Sequence, residues 1–348
     1  MMKIGSHSIG PGHPCYIIAE LSANHGGSFQ TAADTIRAMR EAGADAVKLQ
    51  TYTADTLTIA CDKPPFQIGG GTLWDGRTLH ELYQEAYMPW EWQPGLMTVA
   101  REAGIDLFST PFDDSAVDFL EGMDVPAHKI ASFEMTDHGL LRKVASTRKP
   151  LIMSTGMASL EEIEESLAVL KSAGSGPVTL LKCTSAYPAD PAEMNLLTIQ
   201  DMRRRFCVPV GLSDHTTGHT VPVAAVALGA CVVEKHFILD RKQGGPDAAF
   251  SMEPPEFRAM VDAIRVTEAA LGRPDNYVVS EKEAKSKTFR RSLFAVKEIA
   301  AGEAFTSDNV RSIRPGHGLP PRELERVLNS KASTGIPLGT PLDESHLS

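Results

Sequence analysis

Eight times within about the first 270 residues, a strand-length apolar run is followed by a segment whose apolar positions recur at helical spacing. The runs are 15–21, 45–50, 105–110, 128–132, 150–155, 178–183, 208–213 and 231–237. The intervening segments, 31–42, 90–103, 115–122, 139–147, 160–173, 196–206, 221–228 and 254–271, carry helix-end signals. Gly43, Gly104, Gly174 and Gly229 stand where a helix ends in a left-handed residue, and Ser159 with Glu162 makes a capping box. Eight such units in this length predict an α/β fold, a closed (β/α)₈ TIM barrel over residues 1–271. An open doubly wound sheet is disfavoured, because no strand leads into G-x-G-x-x-G or a phosphate loop ending in Gly-Lys-Ser/Thr.

One connection is far too long for a barrel loop. About 40 residues separate Gln50 from Trp90, against the usual two to six. The insert follows the second strand, so it rises on the face where barrels build their sites, and it is read as a substrate-covering loop. After Leu271 the pattern changes. Residues 272–291 are polar and charged, as expected of a linker, and 292–348 alternate short apolar pairs with turn residues, which predicts a small, mostly β domain. Such a tail has a marginal core by itself, so docking against a barrel is expected.

Composition removes several classes. With 34 basic and 44 acidic residues, a net charge of −10 disfavours a nucleic-acid or anionic-membrane surface binder. No apolar run approaches the ~20 residues that span a bilayer. The start, MMKIGSHSIGPGHP, shows no signal peptide, and a cytoplasmic chain is expected. Five cysteines without a C-x-x-C pair suggest neither a disulfide framework nor a zinc ribbon, and they are read as idle thiols.

The C-terminal strand ends of a barrel converge on one pocket, so their polar residues act as a group. They are Glu20, Lys48, Gln50, Thr110, Lys129, Ser132, Glu134, Ser154, Ser213, His215, Glu234 and His236. His215 and His236 end neighbouring strands, and two imidazoles beside Glu20 and Glu234 suit a divalent cation such as Mn²⁺, with Mg²⁺ or Co²⁺ as alternatives. A closed zinc shell lacks a third nitrogen or sulfur ligand. Lys48 and Lys129, ringed by short hydroxyls, form a cradle for a small anion carrying phosphate and carboxylate. The alternative for either lysine is a Schiff-base nucleophile or a surface charge; the histidine pair argues against the Schiff base.

Eight of these segments also resemble one known family. AELSANHGG at 19–27, KLQTY at 48–52, STPFD at 109–113, KIASFE at 129–134, STGMA at 154–158, CTSAYP at 183–188, GLSDHT at 211–216 and EKHF at 234–237 resemble the sialic acid synthase family. IRPGHGL at 313–319 is similar to that family's C-terminal antifreeze-like (SAF) domain. The resemblance implies condensation of phosphoenolpyruvate with an open-chain amino sugar to a nine-carbon 2-keto acid. It implies that His215 and His236 hold the metal, and that Lys48, Thr110, Lys129, Ser132, Ser154 and Ser213 bind phosphoenolpyruvate. Gln50, Glu134, Tyr187 and Asp247 would face the sugar, and Arg314 would enter a partner subunit's site in a domain-exchanged homodimer. Glu20 or Glu234 would position the attacking water, with Glu134 also counted among the catalytic groups. Ser185, where neuraminate-forming members carry Asn, and the long insert resemble the pseudaminate branch, which implies 2,4-diacetamido-2,4,6-trideoxy-L-altrose as the sugar and glycosylation of flagellin or capsule as the use. Neuraminate- and legionaminate-forming members are the alternative. A metal-dependent isomerase would use the histidines and carboxylates but has little use for two lysines and a ring of hydroxyls. A non-catalytic sugar binder would not need the histidine pair.

Overall fold

The computed structural model describes residues 2–273 and 275–348. Two units are found, Met1–Gly272 and Arg273–Ser348. In the first, an antiparallel hairpin of β1 (Met2–Ile4) and β2 (His7–Ile9) precedes eight parallel strands. These are β3 (Tyr16–Glu20), β4 (Ala46–Thr51), β5 (Asp106–Pro111), β6 (His128–Ile130), β7 (Leu151–Ser154), β8 (Val178–Cys183), β9 (Val210–Asp214) and β10 (Val232–His236). They close in sequence order, with β10 pairing both β9 and β3. Every strand lies within two residues of its expected bounds.

The helices between them start where the chain offers oxygen caps. Ser28 accepts from the Thr31 amide, Asp113 from Ser115 and Ala116, and Ser159 with Glu162 closes the expected capping box. The helix Gln93–Ala103 stops at Gly104, whose φ of 68° is left-handed. The strands are apolar through most of their length because helices cover their outer face and side chains fill the inner one. At the N-terminal end of the barrel, Met2 Sδ lies 2.9 Å from Thr179 Oγ1, and His7 pairs with Asp106 at 2.9 Å, so the N-terminal hairpin seals that end.

Gly211 on β9 marks where the barrel wall is tightest. A Cβ there would stand 2.7 Å from Val232 Cβ and 2.8 Å from Leu181 Cδ2. Gly211→Ala is therefore expected to destabilise the protein by about 1–3 kcal/mol through overpacking. Thermal unfolding checks this, and an unchanged midpoint would refute the tight packing.

The second unit pairs β11 (Ser292–Ala295) with β12 (Val310–Ile313) in antiparallel register, around Leu293, Ile299, Phe305, Val327 and Leu342. Its remaining sheet contacts are isolated bridges such as Ile299 with Ile336. The stretch read as a bare linker carries a helix, Glu281–Ser286, opened by a capping box of Ser280 and Glu283. Among the described residues no helix is long and apolar enough to cross a membrane.

Candidate active site

Strand register decides which side chains meet. Residues paired across parallel strands point to the same side, and side chains alternate along each strand. Glu20 pairs with Lys48 and His236, Gln50 with Thr110, Cys183 with Ser213, and Ser213 with Glu234. All of these, with Lys129 and Ser154, fall on the inner side, at the C-terminal ends of the strands. All but Thr110 line a cavity of about 400 Å³.

At its floor, charges are paired rather than free. Lys48 Nζ lies 2.6 Å from Glu20 Oε2 and 2.7 Å from Glu234 Oε1. Lys129 Nζ donates to Ser154 Oγ at 2.7 Å and to the Ile130 carbonyl at 3.1 Å, and stands 3.6 Å from the same Glu234 oxygen. Ser213 donates to that oxygen as well, at 3.2 Å. Burial alone would raise the Glu234 pKa, but Lys129 and Lys48 outweigh it and hold the carboxyl at about 2. Burial, aided by Lys129, brings Lys48 down to about 8 against the pull of Glu234. Both ammoniums of the expected anion cradle are thus already anchored by carboxylates.

Glu134 differs from the other two glutamates. Burial pushes its carboxyl up to about 7, against the opposing pull of Lys129 and Lys48, and unlike Glu20 and Glu234 it stands in no ion pair among the described residues. The two residues expected to position water, Glu20 and Glu234, are instead both ion-paired to Lys48.

The histidines meet on the opposite wall, with ring centroids 5.4 Å apart. His215 Nδ1 lies 3.0 Å from the Thr184 carbonyl, which can only accept, so that nitrogen carries the hydrogen and Nε2 keeps the lone pair. His236 is held well below the usual imidazole range, first by burial and then by the charges of His215 and Lys48, so it stays neutral. Its Nδ1 is buried without a hydrogen-bond partner among the described residues, 3.8 Å from Asp247 Oδ2. The lone pair left on His215 Nε2 and the unpartnered Nδ1 of His236 fit a divalent cation that keeps open positions. Among the described residues no three His, Cys, Asp or Glu side chains converge into a closed metal cage.

Two of the residues expected to face a sugar, Gln50 and Asp247, are linked by hydrogen bonds through Ser22. Gln50 Nε2 donates to Glu20 Oε1 at 3.1 Å and to Ser22 Oγ at 3.0 Å, and Ser22 donates to Asp247. Tyr187 packs tilted against His215, with centroids 4.3 Å apart. The long insert folds over this wall: Trp74 Nε1 donates to the Pro246 carbonyl at 3.1 Å, and its ring lies 5.8 Å from Tyr187. Leu57, Ile68, Leu82 and Tyr83 of the insert also border the cavity, as a covering loop should.

Three expected residues are placed elsewhere. Thr110 is buried on the inner side, and its hydroxyl has no partner among the described residues, but it does not border the cavity. Ser185 stands behind the wall, where its Oγ and that of Ser132 leave no room for a Cβ on Gly156, and the Gly156 amide donates to Ser132. Arg314 is exposed in the second unit. Conversely, Ser22, Trp74 and Cys183 went unnoticed in the sequence. Cys183, read there as idle, borders the cavity 4.0 Å from His215 Nδ1. Burial would raise its thiol pKa, but His215, Ser132 and Lys129 bring it down to about 7. Its register opposite Ser213 was the available signal.

A closed barrel whose mouth sets two anchored ammoniums beside an imidazole pair defines a (β/α)₈ enzyme acting on an anionic small molecule. The chain belongs to the NeuB family, whose model matches residues 35–276, and an SAF domain model matches residues 290–348. The sequence resemblance to sialic acid synthases is thereby borne out. The chain is 47% identical over 330 residues to a pseudaminic acid synthase of Campylobacter jejuni, covering 95% of this chain and 96% of that one. It is 43% identical to the pseudaminic acid synthase of Helicobacter pylori, covering 94% and 96%. A solved N-acetylneuraminic acid synthetase from Leptospira borgpetersenii superposes with a TM-score of 0.73 at 30% identity, covering 82% of this chain and 94% of that one.

Proposed function

We propose that the protein condenses phosphoenolpyruvate with 2,4-diacetamido-2,4,6-trideoxy-L-altrose and water, giving pseudaminic acid and phosphate. One observation carries the chemistry: Lys48 and Lys129 share a cavity with His215 and His236. The choice of sugar rests on identities of 43% and 47% to pseudaminic acid synthases. It is supported by an insert that brings Trp74, Ile68 and Leu82 to the wall, apolar groups that suit a sugar lacking its 6-hydroxyl.

In this reading Lys48, Lys129, Ser132, Ser154 and Ser213 hold phosphoenolpyruvate, with Thr110 behind them. Glu20 and Glu234 keep the two ammoniums charged and aimed. His215 and His236 hold the cation, Mn²⁺ by donor chemistry, which supplies withdrawal of charge from the sugar's aldehyde oxygen. Gln50, Tyr187 and Asp247 orient the sugar, and Ser185 shapes the wall behind it. C3 of phosphoenolpyruvate then attacks the aldehyde carbon, the alkoxide gains a proton, and the electron-poor C2 takes up water. Glu134, titrating near neutrality, removes the proton from that water, and phosphate departs with cleavage of the C–O bond. In the same proposal the enzyme works in the cytoplasm as a homodimer, Arg314 reaching the sugar of a partner subunit, and its product feeds flagellin or capsule glycosylation.

The test is phosphate release from phosphoenolpyruvate and Mn²⁺ with either the altrose or N-acetylmannosamine. Turnover on the altrose alone is expected. Turnover on N-acetylmannosamine alone would keep the family chemistry and move the chain to the neuraminate branch. Inertness towards both would favour legionaminate-type sugars, and sugar isomerisation without phosphate release would overturn the reading.

The cradle yields a further expectation. Lys129→Ala removes a charged donor and is expected to raise KM for phosphoenolpyruvate about 10- to 100-fold, with little change in KM for the sugar. Steady-state kinetics with each substrate varied would remove Lys129 from this role if KM for phosphoenolpyruvate stayed at its native value.

A further inference from the structure

The two histidines stand one residue beyond a buried ion pair that the reaction does not use. In β9 and β10, Asp214 and Lys235 sit directly opposite each other. Side-chain alternation turns Ser213, Glu234 and His236 inward, and it turns Asp214 and Lys235 outward into the layer between barrel and helices. Neither borders the cavity, so neither can touch a substrate held there. Their side chains are 0% and 1% exposed.

The pair is built around the histidines. Lys235 Nζ donates to Asp214 Oδ2 and to the Thr216 carbonyl. Asp214 Oδ1 in turn accepts from the Thr216 amide at 3.1 Å and from the Thr216 hydroxyl at 2.9 Å. His215 is therefore the central residue of a turn closed by the Asp214 carboxylate, and the Lys235 ammonium ties both flanks of that turn to the residue preceding His236. A buried ion pair costs desolvation and is a weak source of stability, whereas its directional bonds fix geometry. Here the geometry fixed is that of the turn carrying His215 and its tie to β10.

We propose that Asp214 and Lys235 are positioning residues that set the spacing at which His215 and His236 share a divalent cation. The inference rests on the metal reading above. Groups that orient metal ligands from outside the coordination shell typically contribute 10- to 100-fold to metal affinity.

The test uses the full chain and direct Mn²⁺ binding, read from the paramagnetic resonance signal of free Mn²⁺, so it needs no turnover. The double variant Asp214→Asn with Lys235→Met removes both charges together and leaves neither unpaired. It is expected to bind Mn²⁺ about 10- to 100-fold more weakly than the native protein while KM for phosphoenolpyruvate stays near its native value. Thr216→Val keeps both charges and removes one hydroxyl from the carboxylate; it is expected to weaken binding about 2- to 10-fold, and it carries the test should the double variant not fold. A folded variant with native Mn²⁺ affinity and only a lower unfolding temperature would make the pair merely structural and overturn the proposal. If the native protein leaves the free Mn²⁺ signal unchanged, the metal reading falls, and this inference with it.

Discussion

Exhaustive chelation is expected to abolish turnover, and Mn²⁺ to restore it. The expectation follows from what the cavity offers an aldehyde. Both lysines are engaged with Glu234, and the lowered Lys48 pKa of about 8 still leaves that ammonium mostly protonated at neutral pH. Neither is a free amine able to form a Schiff base. The groups left to activate a carbonyl are the two imidazoles, through a cation held on their lone pairs. A cation held by only these two protein ligands would have room for water and a substrate oxygen, so a chelator would be expected to remove it. Phosphate release measured before chelation, after it and after readdition of Mn²⁺ checks this. Full activity in the chelated protein, or borohydride trapping of a sugar on Lys48 or Lys129, would contradict the account.

The Glu134→Gln variant is expected to lose about 10²- to 10⁴-fold in kcat, the range that one proton-transferring group supplies. The sign of the pH dependence can be worked out. Burial pushes the carboxyl up to about 7. A base acts in its ionised form, so native kcat rises as pH climbs through about 7 and levels off above it. The amide cannot titrate, so the variant should lose this rise as well as the rate. A full pH profile of both proteins separates this role from mere sugar binding, which would raise KM and leave the native break in place. Glu20 and Glu234 make poor alternatives, since each contacts Lys48 and the Glu234 pKa of about 2 makes it a weak base.

The barrel was legible because its signal is repeated and local. Each strand is a short apolar run and several helices have their own cap, so register between distant parts was not needed to see them. The N-terminal hairpin escaped because strands of three residues, Met2–Ile4 and His7–Ile9, are too short to show a period. The insert's fold escaped because Trp74 is held by the carbonyl of Pro246, a contact that local pattern cannot foretell. At the site, residue types and strand ends were readable, and Lys48, Lys129, His215 and His236 do meet at one cavity. Their pairing was not. Lys48 reaches Glu234 only because β10 closes onto β3, which places the last strand one strand away from β4. Ser22 lay outside a list built from strand ends, since it sits one residue past Leu21 in a left-handed turn with φ of 49°.

The most direct measurement of the central claim is the fate of the bridging oxygen of phosphoenolpyruvate in a reaction with the altrose. Phosphoenolpyruvate carrying heavy oxygen between C2 and phosphorus is incubated with the sugar and Mn²⁺, and both products are weighed by mass spectrometry. The account predicts a nine-carbon sugar acid of the mass of pseudaminic acid and heavy oxygen in the released phosphate. Label retained by the sugar acid would place cleavage at the P–O bond, and phosphate without a condensed product would mean simple hydrolysis; either result would contradict it.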